Sequence, residues 1–440
     1  MAERVASRST RAAAFARKAI GPAVAAATVS LAACPNAPQT GISQPPTRSS
    51  GGIASTLNPE IAARIVYQPA ASMQIPRFGF GYVSTGDRVF AFGGATSRTQ
   101  ALDEAVMTDT IEMYDALSDT WSIVGRLKAP RFGAAAAIMP TGAIMIAGGI
   151  VKTGDGLVPT DEVFLFNPGT YQISDGPNLL WKAWGMSLFG LDKGFLAVGG
   201  FTYPPFPMSL NTQVFGDSAF FEIGSSKWET SGEVPRGRGL AAAGIAGGVP
   251  VQVTGRPSVL SSQRSFSPNW TMAGPTPRPG TPSPEGGLGS PDGDVHFFDF
   301  QTQVWTWAGP GRVRALPMYG AMTAQVPDGL AILGGIDATD QLVNYGYTFR
   351  MNLRQFNQHP GSGVTTAVLQ NLPAKTALGG AAFLLGRLLV FGGLSETTFI
   401  NRTAARSVTG DTWVLRDLNP QAQPDPGTSS SPGLSAVPVF

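Results

Sequence analysis

Basic side chains recur just ahead of short apolar runs in this chain, at Arg77, Arg131, Lys182, Arg236, Arg238, Arg314 and Lys375. Cations gathered around one concavity would hold a carboxylate, a sugar acid or an acidic protein segment through charge-assisted hydrogen bonds. Aromatic residues stand beside several of them, namely Phe78, Phe132, Trp184 and Tyr319, and such rings stack on a sugar or a proline. The candidate ligand-binding set is therefore Arg77, Arg131, Lys182, Trp184, Arg236, Arg238 and Tyr319. A structural role competes with this reading. The same cations could satisfy backbone carbonyls at strand ends, and the same rings could pack between layers.

Other chemistry has thin support. The two histidines, His296 and His359, are too few for a histidine-rich metal centre. No glycine-rich phosphate loop, serine nucleophile elbow or paired zinc ligands is present. Asp292-Gly293-Asp294 reads as a solvated loop rather than a calcium site. Cys34 is the only cysteine, which leaves no intramolecular disulfide and no cysteine-based zinc site or nucleophile in the folded part. Neither a cofactor nor a metal is expected, and no Glu or His recurs beside the cations as a general acid or base. Whether the chain is an enzyme stays open, with a binding module the leading reading.

The elements that position these residues are short. Of 440 residues only 14% are charged, while 55 are Gly and 36 are Pro, a balance that suits many strands joined by turns. Val89–Gly133 sets the pattern: an apolar run ending in Gly93-Gly94, a loop, Tyr114 seven residues before Trp121, then Arg131 ahead of a small-residue run. Diglycines recur at Gly148-Gly149, Gly199-Gly200, Gly334-Gly335 and Gly392-Gly393, and Thr254-Gly255 fills the same slot. A single glycine precedes each, at Gly79, Gly133, Gly185, Gly239, Gly320 and Gly379. Phe221/Trp228 and Phe298/Trp305 repeat the seven-residue spacing, Phe166 with Tyr171 contracts it, and Tyr347 and Phe349 begin a copy that no Trp completes.

Across residues 65–418 these markers resemble the Kelch repeat. The resemblance implies an all-β fold, a six-bladed Kelch-type β-propeller of four-stranded antiparallel blades. The Tyr and Trp would then fill the space between blades. Ring closure is expected from Arg64–Gln68 pairing with Thr412–Arg416. Long loops after each diglycine collect on one face, at the predicted channel mouth, and a site is expected there. Galactose oxidase, a Kelch enzyme with a Tyr–Cys crosslink beside copper, is excluded because Cys34 is used elsewhere. The resemblance also raises an alternative function, a carbohydrate-active enzyme similar to sialic acid mutarotases.

Residues 1–33 read as a lipoprotein signal peptide, with Arg4, Arg8, Arg11, Arg17 and Lys18 ahead of an apolar run. Leu31-Ala32-Ala33-Cys34 resembles the bacterial lipobox, which implies lipidation at Cys34. Residues 34–56 form a Pro/Ser-rich tether, 57–418 the propeller with a Pro-rich insertion at 256–293, and 419–440 a disordered tail. Cleavage removes five of 31 basic and one of 29 acidic residues, leaving 26 against 28, so the basic balance belongs to the signal and no nucleic-acid partner follows. The expected location is the cell envelope, lipid-anchored to the outer membrane and facing the periplasm or the surface. A scaffolding or binding module there would take an envelope protein or a glycan as partner.

Overall fold

The computed structural model describes residues 67–96, 107–154, 156–202, 214–257, 293–300, 304–307, 315–339, 341–358, 363–400 and 403–415. The expected signal peptide, tether, tail and most of the insertion lie outside these residues, as do Cys34, Arg314 and His359.

The apolar runs form strands buried on both faces. Val89–Phe92, Ile144–Ala147, Phe195–Val198, Val249–Val253, Leu330–Leu333 and Leu388–Phe391 are buried throughout. Each is the second strand of a four-stranded antiparallel sheet, and six such sheets occur among the described residues. The fold is all-β and propeller-like. The first strands of sheets one to six are Gly81–Thr85, Ala135–Ile138, Ser187–Leu191, Ala242–Ala246, Met322–Val326 and Gly380–Leu384. In sheet one Arg88–Phe92, Thr110–Asp115 and Thr120–Arg126 follow in order. The sixth sheet differs, because its outer strand is Gln68–Ala70, paired with Thr412–Leu415 from the far end of the chain. Of the expected segment, Arg64–Gln68, residues 64–66 lie outside the described residues, and Gln68 stands opposite Val414 with the pairing continuing through Ala70.

Core packing follows the same order. Six apolar clusters each join two consecutive sheets, and the cluster containing Met73, Phe80, Trp121, Leu389 and Phe391 joins the sixth sheet to the first. The Tyr–Trp pairs face each other across the two outer strands, with ring centroids 5.3 Å apart for Tyr114–Trp121 and 5.5 Å for Phe298–Trp305. Each Trp also reaches the preceding sheet. Trp121 lies 5.3 Å from Phe391, Trp305 lies 6.1 Å from Phe189, and Trp228 Nε1 donates to the Pro177 carbonyl at 2.8 Å. In sheet five, which lacks the Trp, a short helix (Leu353–Gln358) supplies Phe356, packed edge-on against Phe297 of sheet four at 5.1 Å.

Two circuits of backbone hydrogen bonds tie the sheets together. The amides of Gly79, Gly133, Gly185, Leu240, Gly320 and Leu378 donate to the carbonyls of Leu378, Gly79, Gly133, Gly185, Leu240 and Gly320 respectively, at 2.7–2.9 Å. This circuit returns to its start. All six residues have φ between +51° and +67°. A Cβ on Gly79 would sit 2.0 Å from the Phe132 ring, so this position requires glycine for space as well as conformation. In the second circuit the amides of Gly94, Gly149, Gly200, Gly255, Gly335 and Gly393 donate to Arg131, Ala183, Arg238, Met318, Thr376 and Arg77, at 2.8–3.1 Å. The second residue of each diglycine slot therefore bonds to the next sheet, the sixth back to the first.

Candidate functional site

The first strands begin together at the circuit of Gly79 and its equivalents, and this is the end that collects the connections after the diglycines. The sequence places the predicted mouth here. The structure corrects that expectation, because apolar side chains fill this end. Phe78, Phe132, Trp184, Phe201, Ile336, Ala377 and Leu394 form one buried cluster, with Leu240, Tyr319 and Leu378 packed against it, so every sheet contributes. Phe78 bridges to Ala95, Phe132 to Ile150 and Trp184 to Phe201 through backbone pairing just beyond each diglycine. Trp184 is 2% exposed, with its ring 5.8 Å from Phe132 and 4.7 Å from Phe201, so it packs between layers rather than facing a ligand. Tyr319 is half-buried beneath Arg256, whose guanidinium lies 5.0 Å from its ring.

Three of the predicted cations turn into the sheets. The Arg77 guanidinium is fully buried. It donates to the carbonyls of Ile75 (3.2 Å), Gly93 (2.8 Å) and Thr110 (3.0 Å), to Thr110 Oγ1 (2.7 Å) and to the Glu112 carboxylate. Glu112, also fully buried, accepts the Gln74 and Ile75 amides at 2.8 and 3.1 Å. Arg131 donates to the Gly148 carbonyl at 2.8 Å and Glu162 Oε2 at 2.6 Å, and lies over the Phe164 ring at 4.7 Å. Arg238, 1% exposed, donates to the carbonyls of Thr254 and Asp294 at 2.8 and 3.0 Å. In each case an acceptor is the carbonyl of the first residue of the diglycine slot, an atom that no ladder partner reaches. Burial lowers the pKa of Arg77 and Arg131, while Glu112 and Glu162 oppose the shift. Of the seven candidates, these three are structural, by the geometry of their hydrogen bonds.

Lys182, Arg236 and Lys375 stay exposed. Arg236 lies 3.5 Å from Asp294 and Lys375 lies 3.0 Å from Glu396. The seven candidates therefore do not converge on one open concavity.

The first strands instead enclose a cavity of about 580 Å³ running from the circuit toward the short turns at the opposite end. Small and apolar residues dominate its lining, among them Ala136, Ile138, Leu188, Ala243 and Ile245. Tyr82 is the one titratable side chain lining it. Its hydroxyl donates to the Thr323 carbonyl at 3.0 Å and accepts the Thr323 amide at 2.9 Å, and burial pushes its pKa up to about 12. Gln325 is likewise engaged, accepting from the Ile245 amide at 3.0 Å and donating to the Ile245 carbonyl at 2.8 Å. Of these crosslinks, the Gln325 link braces the neighbouring first strands of sheets four and five, whereas Tyr82 reaches from sheet one past sheet six to the first strand of sheet five. The sequence carried no sign of them, since a Tyr and a Gln on alternating strands read as ordinary face residues.

His296 is fully buried on the third strand of sheet four. Burial, and then the nearby Arg238 and Arg236 charges, push its pKa down to about 2. The imidazole stays neutral in the folded protein, whereas the unfolded chain takes up a proton below its ordinary value of 6.5. His296 thus costs stability increasingly as pH falls from 6.5 toward 2, at up to about 1.4 kcal/mol per pH unit. In urea titrations, wild type minus His296→Gln should be constant above pH 7 and should drop steadily below pH 6. Parallel pH profiles would contradict a neutral buried imidazole. No group of three His, Cys, Asp or Glu able to hold a metal ion is found among the described residues.

Neither a family model nor a curated protein matches the sequence. Among solved structures 705 chains match. One, titled "Structure of YjhT", is 15% identical, with 78% of this chain and 96% of that chain covered and a TM-score of 0.51. The likeness is one of fold, the propeller-like arrangement of four-stranded antiparallel sheets.

Proposed function

We propose that this chain is a lipid-anchored cell-envelope protein whose six sheets are the blades of a closed Kelch-type propeller, serving as a protein- or glycan-binding module. Support for the closed ring comes from the two hydrogen-bond circuits, each of which passes from the sixth sheet to the first. The observation that carries the binding reading is the end packed by apolar side chains and tied by the backbone circuit, from which the connections after the diglycines rise. One of these is the hairpin Ile150–Thr153 with Gly156–Pro159. Varied loops on a braced platform suit recognition of a partner surface. Lipid attachment through Cys34 would hold the module at the membrane.

Shortening the hairpin by replacing residues 152–157 with Asn-Gly should leave the melting temperature within about 2 °C, while capture of envelope glycans on an array or of a crosslinked envelope protein in cells falls at least tenfold. Undiminished capture, repeated after the Leu394–Val408 hairpin is shortened too, would remove the loop-rich face as the site. The enzymatic alternative, similar to sialic acid mutarotases, would rest on the exposed cations Lys182, Arg236 and Lys375. Anomer exchange of sialic acid followed by NMR separates the two readings, since acceleration over buffer selects the enzyme.

A further inference from the structure

The face opposite the sealed end carries an unusual set of side chains. The six first strands start together at the Gly79 circuit, so their turns into the second strands lie together at the other end. Register places the turns between third and fourth strands there too, because Arg88 pairs with Asp115 and Gly194 with Glu222. Eight large hydrophobic residues are exposed among the described ones, and five lie at these turns: Leu117 (74% exposed), Ile223 (46%), Phe300 (46%) and Leu385 (55%) within them and Val304 (51%) at the start of the strand that follows one. They come from sheets one, three, four and six. Only Leu316 sits near the sealed end, while Ile123 and Val368 lie along outer strands. Leu385 also has φ +51°, a turn conformation that favours Gly or Asn, so an exposed Leu there costs backbone strain without a packing return.

Both ends of the described chain leave from this same face. Gln68 pairs with Val414, and Leu415 pairs with Leu388 beside the turn of sheet six. The chain before Tyr67 and the chain after Leu415 therefore depart where the apolar turns are. Cys34 stands 33 positions before Tyr67, and a random-coil tether over the expected 34–56 alone would span roughly 25 Å root-mean-square.

We propose that the short-turn face rests on a lipid bilayer, with Leu117, Ile223, Phe300, Val304 and Leu385 entering the interfacial zone. The proposal takes its tether from the lipid-anchor reading above. A tether holds weak contacts at high effective concentration, so a few shallowly inserted side chains suffice to orient the domain. Among the described residues the charges on this face are of both signs, Arg88, Lys193, Lys227, Arg354 and Arg387 among Asp87, Asp115, Asp119, Asp192, Glu222, Asp299 and Asp328, with no basic patch to hold anionic lipid, so docking is apolar and insensitive to salt. The sealed end with its loops then points into the aqueous space, toward partners.

Because Cys34 is the only cysteine, single reporters are straightforward. Full-length chains carrying Leu117→Cys, Phe300→Cys or, at the loop-rich end, Lys152→Cys would be labelled with a polarity-sensitive dye on phosphatidylcholine vesicles containing brominated lipid. One arm uses the native lipidated protein, for which the label replaces nothing at Cys34. The other uses Cys34→Ser held on nickel-chelating lipid by an N-terminal histidine tag. At least threefold stronger quenching at 117 and 300 than at 152, unchanged in 0.5 M salt (about 4–5 Å screening length) and abolished when the five apolar residues are changed to Ser, is the expected result. Equal quenching at all three positions overturns the proposal. So does a dye shift that appears without vesicles and grows with protein concentration, which would assign the face to a second copy. Failure of only the native arm to float with vesicles would refute lipidation and leave the tagged arm to decide the face.

Discussion

Arg77→Ala is expected to cost about 3–5 kcal/mol of folding stability, because it leaves the Glu112 carboxylate buried without its charge partner. The loss goes beyond the ion pair. The guanidinium also serves the carbonyls of Gly93 and Thr110 at the end of sheet one, and buried acceptors stripped of a donor each cost about 1–3 kcal/mol. Equilibrium urea unfolding would measure the effect. The double change Arg77→Met with Glu112→Leu should recover part of it, since replacing both members of a buried pair with apolar groups is far milder than removing one. Arg236→Ala, at a half-exposed position paired with Asp294 at 3.5 Å, should change stability by less than about 1 kcal/mol. Similar costs at Arg77 and Arg236 would contradict the division between inward and outward cations.

Deleting residues up to Met73 is the second large effect. Tyr67 and Met73 are 3% and 4% exposed, and Met73 donates its amide to the Gly410 carbonyl at 2.8 Å. Burying two such side chains is worth about 2–3 kcal/mol each, and the ladder along Gln68–Ala70 adds its hydrogen bonds. The deletion would also bare the edge of Thr412–Leu415, a template for unwanted pairing. A fall in melting temperature of about 10 °C or more is expected from roughly 5 kcal/mol, together with concentration-dependent aggregation. A melting curve like that of the full chain would show that the first and last parts of the protein are not joined through this strand.

The diglycines and Tyr–Trp spacings were readable because each serves one geometric need with one residue type. Glycine takes the αL backbone and the close neighbouring carbonyl at the least cost, and a Trp opposite a Tyr fills a fixed gap. The single-glycine marker failed in two copies. In sheets four and six the left-handed residue is Leu240 or Leu378, one position from the glycine expected there, Gly239 or Gly379. The preceding residue is then Gly239 or Ala377, where the other sheets have Phe78, Phe132, Trp184 or Tyr319. Bulk has moved from one position to the next with the filled volume kept, so composition at a single slot misleads while the pair of slots does not. The cations misled for a different reason. An Arg ahead of a strand can turn outward to solvent or inward to a carbonyl, and one-dimensional spacing does not distinguish these directions. What decides it at Arg77, Arg131 and Arg238 is the unpaired carbonyl beside each diglycine slot, visible only once the strands are placed.

The circuit through Gly79, Gly133, Gly185, Leu240, Gly320 and Leu378 bears on what the sealed end attracts. A helix N-terminus draws anions because its peptide dipoles align and add. Here six amide-to-carbonyl vectors run head to tail around a loop, and vectors that close on themselves sum to nearly zero. The end of the molecule from which the loops rise is thus electrically quiet at its centre. Whatever a partner feels on approach is set by the loops themselves, so the charge of those loops can change between related chains without disturbing the ring beneath them.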